Sequence, residues 1–67
     1  MTKFNERLKE LRQEQGLSVI KLGTAIGVSD ATICRWESGQ NDIKGRDLIK
    51  LAIFFGVSTD YLLGLED

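Results

Sequence analysis

Between Ser18 and Gly39 the chain runs Ser-Val-Ile-Lys-Leu-Gly-Thr-Ala-Ile-Gly-Val-Ser-Asp-Ala-Thr-Ile-Cys-Arg-Trp-Glu-Ser-Gly, and its two inner glycines leave few ways to fold it. Gly27 can take the positive φ that a tight turn needs, while Gly23, one helical turn earlier, removes the Cβ that would keep a second helix at a distance. Ser29 then offers a side-chain oxygen to cap a new helix. This predicts one helix capped by Ser18 and running to about Ile26, a short turn, and a second helix capped by Ser29 and running to about Glu37 or Ser38. Leu22, Ile26, Val28, Ile33 and Trp36 fall where two steeply crossed helices share a core, leaving Asp30, Ala31, Thr32, Cys34 and Arg35 outside.

The flanking segments have the same helical period. Phe4, Leu8 and Leu11 form one inward stripe, with Glu6, Arg7, Glu10 and Glu14 on solvated faces, and Gly16 stops that helix. Leu48, Leu51, Ala52 and Phe55 form another stripe ended by Gly56, and Ser58 caps a last short helix through Leu63 before Gly64. The expected fold is therefore all-α: a compact five-helix bundle, one domain over residues 1–67, with a helix-turn-helix at about 18–38 and residues 45–64 as support. A hydrophobic content of 42% with no proline suits a small folded core. The longest apolar run, Leu51 to Phe55, is far too short for a bilayer, and Met1 to Phe4 leads directly into a polar helical pattern, so a cytoplasmic protein is expected.

One cysteine and no histidine narrow the chemistry. Cys34 has no internal disulfide partner, a zinc site needs several Cys or His ligands, and a thiol nucleophile lacks its usual imidazole base. No metal, no cofactor and no enzymatic activity are expected, and Cys34 itself suits a small filler on a helix surface.

Several short pieces recur in order: Arg7-Leu8-Lys9-Glu10-Leu11-Arg12, Gly16-Leu17-Ser18, Gly27-Val28-Ser29, Ile33-Cys34-Arg35-Trp36-Glu37-Ser38-Gly39, Leu51-Ala52 and Gly56-Val57-Ser58-Thr59-Asp60-Tyr61-Leu62-Leu63-Gly64. Together they resemble the phage-repressor type of helix-turn-helix domain, the Cro/repressor or XRE-type family, over nearly the whole chain from about Phe4 to Gly64. The resemblance implies a lambda-repressor-like domain that binds double-stranded DNA, usually as a dimer on a two-fold operator. It also implies that Arg12 pairs with Glu37, tying the second helix of the unit to its support. Trp36, spaced three residues from Ile33, belongs in the core and not on a base.

In such a unit the start of the second helix faces base edges. Asp30, Ala31, Thr32, Cys34 and Arg35 are the candidate base-reading residues: Arg35 for guanine, Thr32 for a base edge or thymine methyl, Ala31 for a thymine methyl. Asp30 has two readings, stabilisation of its own helix N-terminus and acceptance from cytosine N4. Ser18, Lys21, Ser29, Gln40, Asn41 and Lys44 are candidates for phosphate contact. Three departures from the family pattern stand out. Asp30 puts an acid where polar or basic residues often read bases. Val19 replaces a glutamine that bonds phosphate, and Ile43 and Gly45 replace the usual proline and apolar residue of the following loop.

Nine basic against ten acidic residues give a net charge of −1, unusual for a DNA-binding domain, and the stretch from Ser18 to Lys50 carries five basic and four acidic residues. Few phosphate contacts are therefore expected. The second half carries more apolar residues than one core face uses, and Ile53, Phe54, Tyr61, Leu62 and Leu65 form a candidate dimer patch. The expected function is sequence-specific transcriptional regulation, as a repressor from a bacterial or phage setting. A protein-interaction module, antitoxin-like or a regulatory partner on the same helical scaffold, is the alternative.

Overall fold

The computed structural model describes residues 3–40 and 43–66. Among them the secondary structure is entirely helical: α1 (Phe4–Glu14), α2 (Val19–Ile26), α3 (Asp30–Ser38), α4 (Gly45–Phe55) and α5 (Thr59–Leu63). Three of the five starts carry the same device, a serine in extended conformation whose Oγ accepts from the backbone N–H three residues on. Ser18 accepts from Lys21, Ser29 from Thr32 and Ser58 from Tyr61. Each bond satisfies an N–H that the helix leaves without a partner.

The turn between α2 and α3 accounts for both glycines. Gly27 sits at φ +80°. From that position its N–H, and the N–H of Val28, both donate to the Gly23 carbonyl at 2.8 and 2.9 Å, closing α2 with a paired cap. At Gly23 the chain doubles back so tightly that a Cβ would lie 2.5 Å from the Val28 carbonyl oxygen, and a real carbon cannot sit that close to backbone.

The core follows the periodicity. Leu8, Leu22, Ile33, Leu51 and Leu62 are fully enclosed, one from each helix, and Phe4, Ile26, Trp36, Ala52 and Phe55 complete the buried set. α3 packs on α2 and α1, α4 lies against α2 and α5, and α5 returns to α1. The Phe4 ring meets Trp36 edge to face, with centroids 6.4 Å apart, so Trp36 is a core anchor of α3.

Two assignments change on this geometry. Leu62, a member of the candidate dimer patch, has no exposed surface, because the single turn of α5 needs one side chain to hold it to the bundle and Leu62 is that side chain. Arg7 is not a solvated helix-face residue: it is half-buried, its Nη1 donates to the Tyr61 and Glu66 carbonyls, and its guanidinium lies 4.1 Å over the Tyr61 ring. Tyr61 is correspondingly half-covered. Ser58 Oγ also donates to the Glu66 carboxylate, folding the end of the chain back onto the start of α5.

Candidate nucleic-acid interface

The candidate site is the outer surface of α3. Ile33 and Trp36 commit one side of the helix to the core, and helical geometry then turns residues 30, 31, 34 and 35 outward. Asp30, Ala31, Cys34 and Arg35 are indeed exposed, whereas Thr32 is half-buried at the edge. Among the described residues no side chain hydrogen-bonds or pairs with the Arg35 guanidinium, so five N–H donors are available to a partner.

Polar groups at the start of α3 are already engaged with one another. Ser29 Oγ accepts from Thr32 N–H at 3.1 Å and lies 2.8 Å from Thr32 Oγ1, while Asp30 Oδ1 accepts from Ala31 N–H at 3.0 Å. The Asp30 carboxylate thus folds onto its own helix terminus, where the macrodipole favours it. Thr32 shares its hydroxyl with the cap, which leaves its methyl group as the more available surface.

The far end of α3 is held rigidly. Arg12 Nε donates to Glu37 Oε2 at 2.6 Å and Nη2 to Oε1 at 3.0 Å, a two-pronged pair whose side chains are mostly buried; Nη1 adds a bond to the Leu17 carbonyl at 2.8 Å. Those bonds to Glu37 raise the Arg12 pKa above its ordinary value, with partial burial opposing them. One guanidinium therefore joins α1, the α1–α2 turn and α3, so the tilt of α3 is set at both ends.

The candidate phosphate-contacting residues Ser18, Lys21, Ser29, Gln40 and Lys44 are all exposed. Asn41 lies outside the described residues. Ser18 opens α2, Ser29 opens α3 and Lys44 opens α4, each beside backbone N–H groups that can meet an anion. Val19 is half-buried against the core and presents no polar group there. The Arg7 contacts were not readable in advance, because they span more than 50 positions and leave no local periodic signal.

A helix-turn-helix family model matches residues 8–62, from the middle of α1 to the middle of α5. The chain belongs to the phage-repressor type of helix-turn-helix proteins. This helix-turn-helix protein is 36% identical over 64 residues to the transcriptional activator BcrR of Enterococcus faecalis, covering 96% of the chain and 31% of BcrR. It is 32% identical over 64 residues to the transcriptional regulator ImmR of Bacillus subtilis, covering 96% and 50% respectively. The chain thus spans between about a third and half of the length of these two curated relatives. Its fold superimposes on the P22 c2 repressor protein, solved in complex with synthetic operator 9T, with a TM-score of 0.88 and 30% identity over 94% of this chain and 96% of that one. Both curated relatives are named as transcription regulators, and none of the described helices of this chain is long and apolar enough to cross a membrane.

Proposed function

We propose that this helix-turn-helix domain binds a specific two-fold DNA operator as a dimer in the bacterial cytoplasm, acting as a repressor with α3 in the major groove. The observation that carries the reading is the asymmetry of α3: Ile33 and Trp36 sealed in the core, Asp30, Ala31, Cys34 and Arg35 exposed, and the helix fixed at its far end by the Arg12–Glu37 pair. Arg35 reads guanine, Ala31 and the Thr32 methyl meet thymine methyls, and Asp30 mainly stabilises the helix that presents them. Ser18, Lys21, Ser29, Gln40 and Lys44 position the domain on phosphates.

With a net charge of −1, non-specific affinity is low, so discrimination depends on base contacts and on pairing two half-sites about 34 Å apart. Leu65, 71% exposed just beyond α5, and the uncovered part of Tyr61 supply apolar surface for that pairing.

Selection of bound sequences from a random duplex library, with the winner retested at two salt concentrations, tests the proposal. The expected result is an enriched inverted repeat with half-sites about one helical turn apart, weakened about 10- to 100-fold by Arg35→Ala. Absence of enrichment, with weak binding that vanishes as salt rises, refutes it.

A further inference from the structure

Ile53, 76% exposed, projects the most accessible large apolar side chain among the described residues. It lines a groove of about 350 Å³ between α2 and α4, together with Ala25, Ile26, Lys50 and Phe54. The Ile26 side chain is buried and forms the floor, while Phe54, 37% exposed, is braced edge-on against Phe55 with ring centroids 5.1 Å apart. The apolar wall is therefore held in place before any partner arrives.

Charge around the groove has one sign. Lys50 is the only charged lining residue among the described residues, and α2 contains no carboxylate at all. Lys21 lies one helical turn before Ala25, and Arg46 one turn before Lys50; all three cations are exposed, and none has an ion-pair partner among the described residues. Asp47, the one carboxylate on α4, is half-buried in its first turn and does not line the groove.

We infer that the α2–α4 groove docks an amphipathic helix of a partner protein, with apolar side chains one turn apart in the groove and carboxylates facing Lys50 and Arg46. The volume, at the lower end of the range for ligand pockets, suits a pair of large apolar anchors spaced i and i+4. A second copy of this chain fits worse. A two-fold contact on this face brings two patches of the same sign together, and like charges across an interface oppose association. The exposed apolar lining of Ile53, Phe54 and Ala25 is also small beside the roughly 800 Å² per partner of a standard interface. The inference is independent of the operator reading.

Selection from a displayed library of random helix-forming 12-residue peptides tests it, using the intact chain and two variants at exposed positions, Ile53→Asn and Lys50→Glu. Circular dichroism melts check that both variants remain folded. Enriched peptides are expected to carry large apolar residues at i and i+4 with net negative charge, and to lose about tenfold in affinity on Ile53→Asn, the worth of one buried apolar side chain. Lys50→Glu should weaken these peptides and favour the same peptides with their Glu changed to Lys. Enrichment that is no better for the wild-type chain than for Ile53→Asn overturns the inference, as do enriched peptides that are basic or lack apolar spacing. Concentration-dependent dimerisation abolished by Ile53→Asn overturns it in favour of a second copy.

Discussion

Replacing Gly23 by alanine tests whether close helix approach, and not helix propensity, decides that position. An added Cβ would meet three backbone atoms, the Val28 oxygen at 2.5 Å, the Ser29 carbonyl carbon at 3.3 Å and the Asp30 nitrogen at 3.4 Å, none of which can rotate away. Relief therefore requires α3 to move off α2 by close to an ångström, which also strains the 2.8 and 2.9 Å bonds to the Gly23 carbonyl. Overpacking of this kind costs about 3 kcal/mol, at the upper end because the neighbours are backbone. Alanine returns about 1 kcal/mol of helix propensity, leaving a net loss of about 2 kcal/mol. A domain of this size has only about 3–10 kcal/mol of stability in all. Urea unfolding followed by the fluorescence of Trp36, the sole tryptophan and a buried one, measures the change directly. Gly45→Ala is the matched control, since nothing lies within 4 Å of its added Cβ, and it should be neutral or stabilising. Should Gly23→Ala prove as stable as wild type with an unchanged denaturant slope, the close approach of α2 to the turn would not be what selects glycine there.

Removing Arg12 by Arg12→Met should cost about 2–3 kcal/mol in the same assay, because Glu37 is left mostly buried without its cation. Since the Arg12 pKa is raised by Glu37, the stability it contributes is full below the ordinary arginine range and is lost only as pH rises through the raised value. The destabilisation caused by Arg12→Met should thus show no step between pH 6 and 9 from loss of the Arg12 charge; a step in that window would show that the pair does not act through this charge. Leu62→Ala should lose about 2–5 kcal/mol on thermal unfolding while Leu65→Ala loses little, and the reverse order would return Leu62 to the surface. Arg35→Ala should stay within about 0.5 kcal/mol of wild-type stability while losing specific DNA affinity, and a large loss of stability would show that Arg35 is structural.

The fold was legible because its signals are local. Gly27 and Ser29 mark the turn by chemistry that acts within four residues, and Leu22, Ile33 and Leu51 follow helical spacing. The outward face of α3 follows once Trp36 is placed inward. Contacts between distant segments were not legible in the same way. The Arg7 bonds to the end of the chain depend on α5 folding back to α1, and the burial of Leu62 depends on how one turn of helix sits in a cleft made by the others. Spacing along a five-residue helix cannot separate an apolar side chain facing the core from one facing a partner. Within the candidate site, exposure at Arg35 and Cys34 was foreseeable. The sharing of hydroxyls between Ser29 and Thr32 was not, since it depends on rotamers.

The Arg7 clasp also orders events during synthesis. Every bond that fixes α3 against α1, including Arg12 to Glu37, joins residues within the first 39 positions and can form early. The clasp needs Tyr61 and Glu66, so α1 waits for residues 61–66 to leave the ribosome before the two segments are stapled together. Until Leu62 arrives, the cleft it fills stays open to water. A nascent chain halted near residue 58 would hold α3 in a half-finished core, and the maturation of its exposed face is in this way tied to Leu62, a residue sealed in the interior.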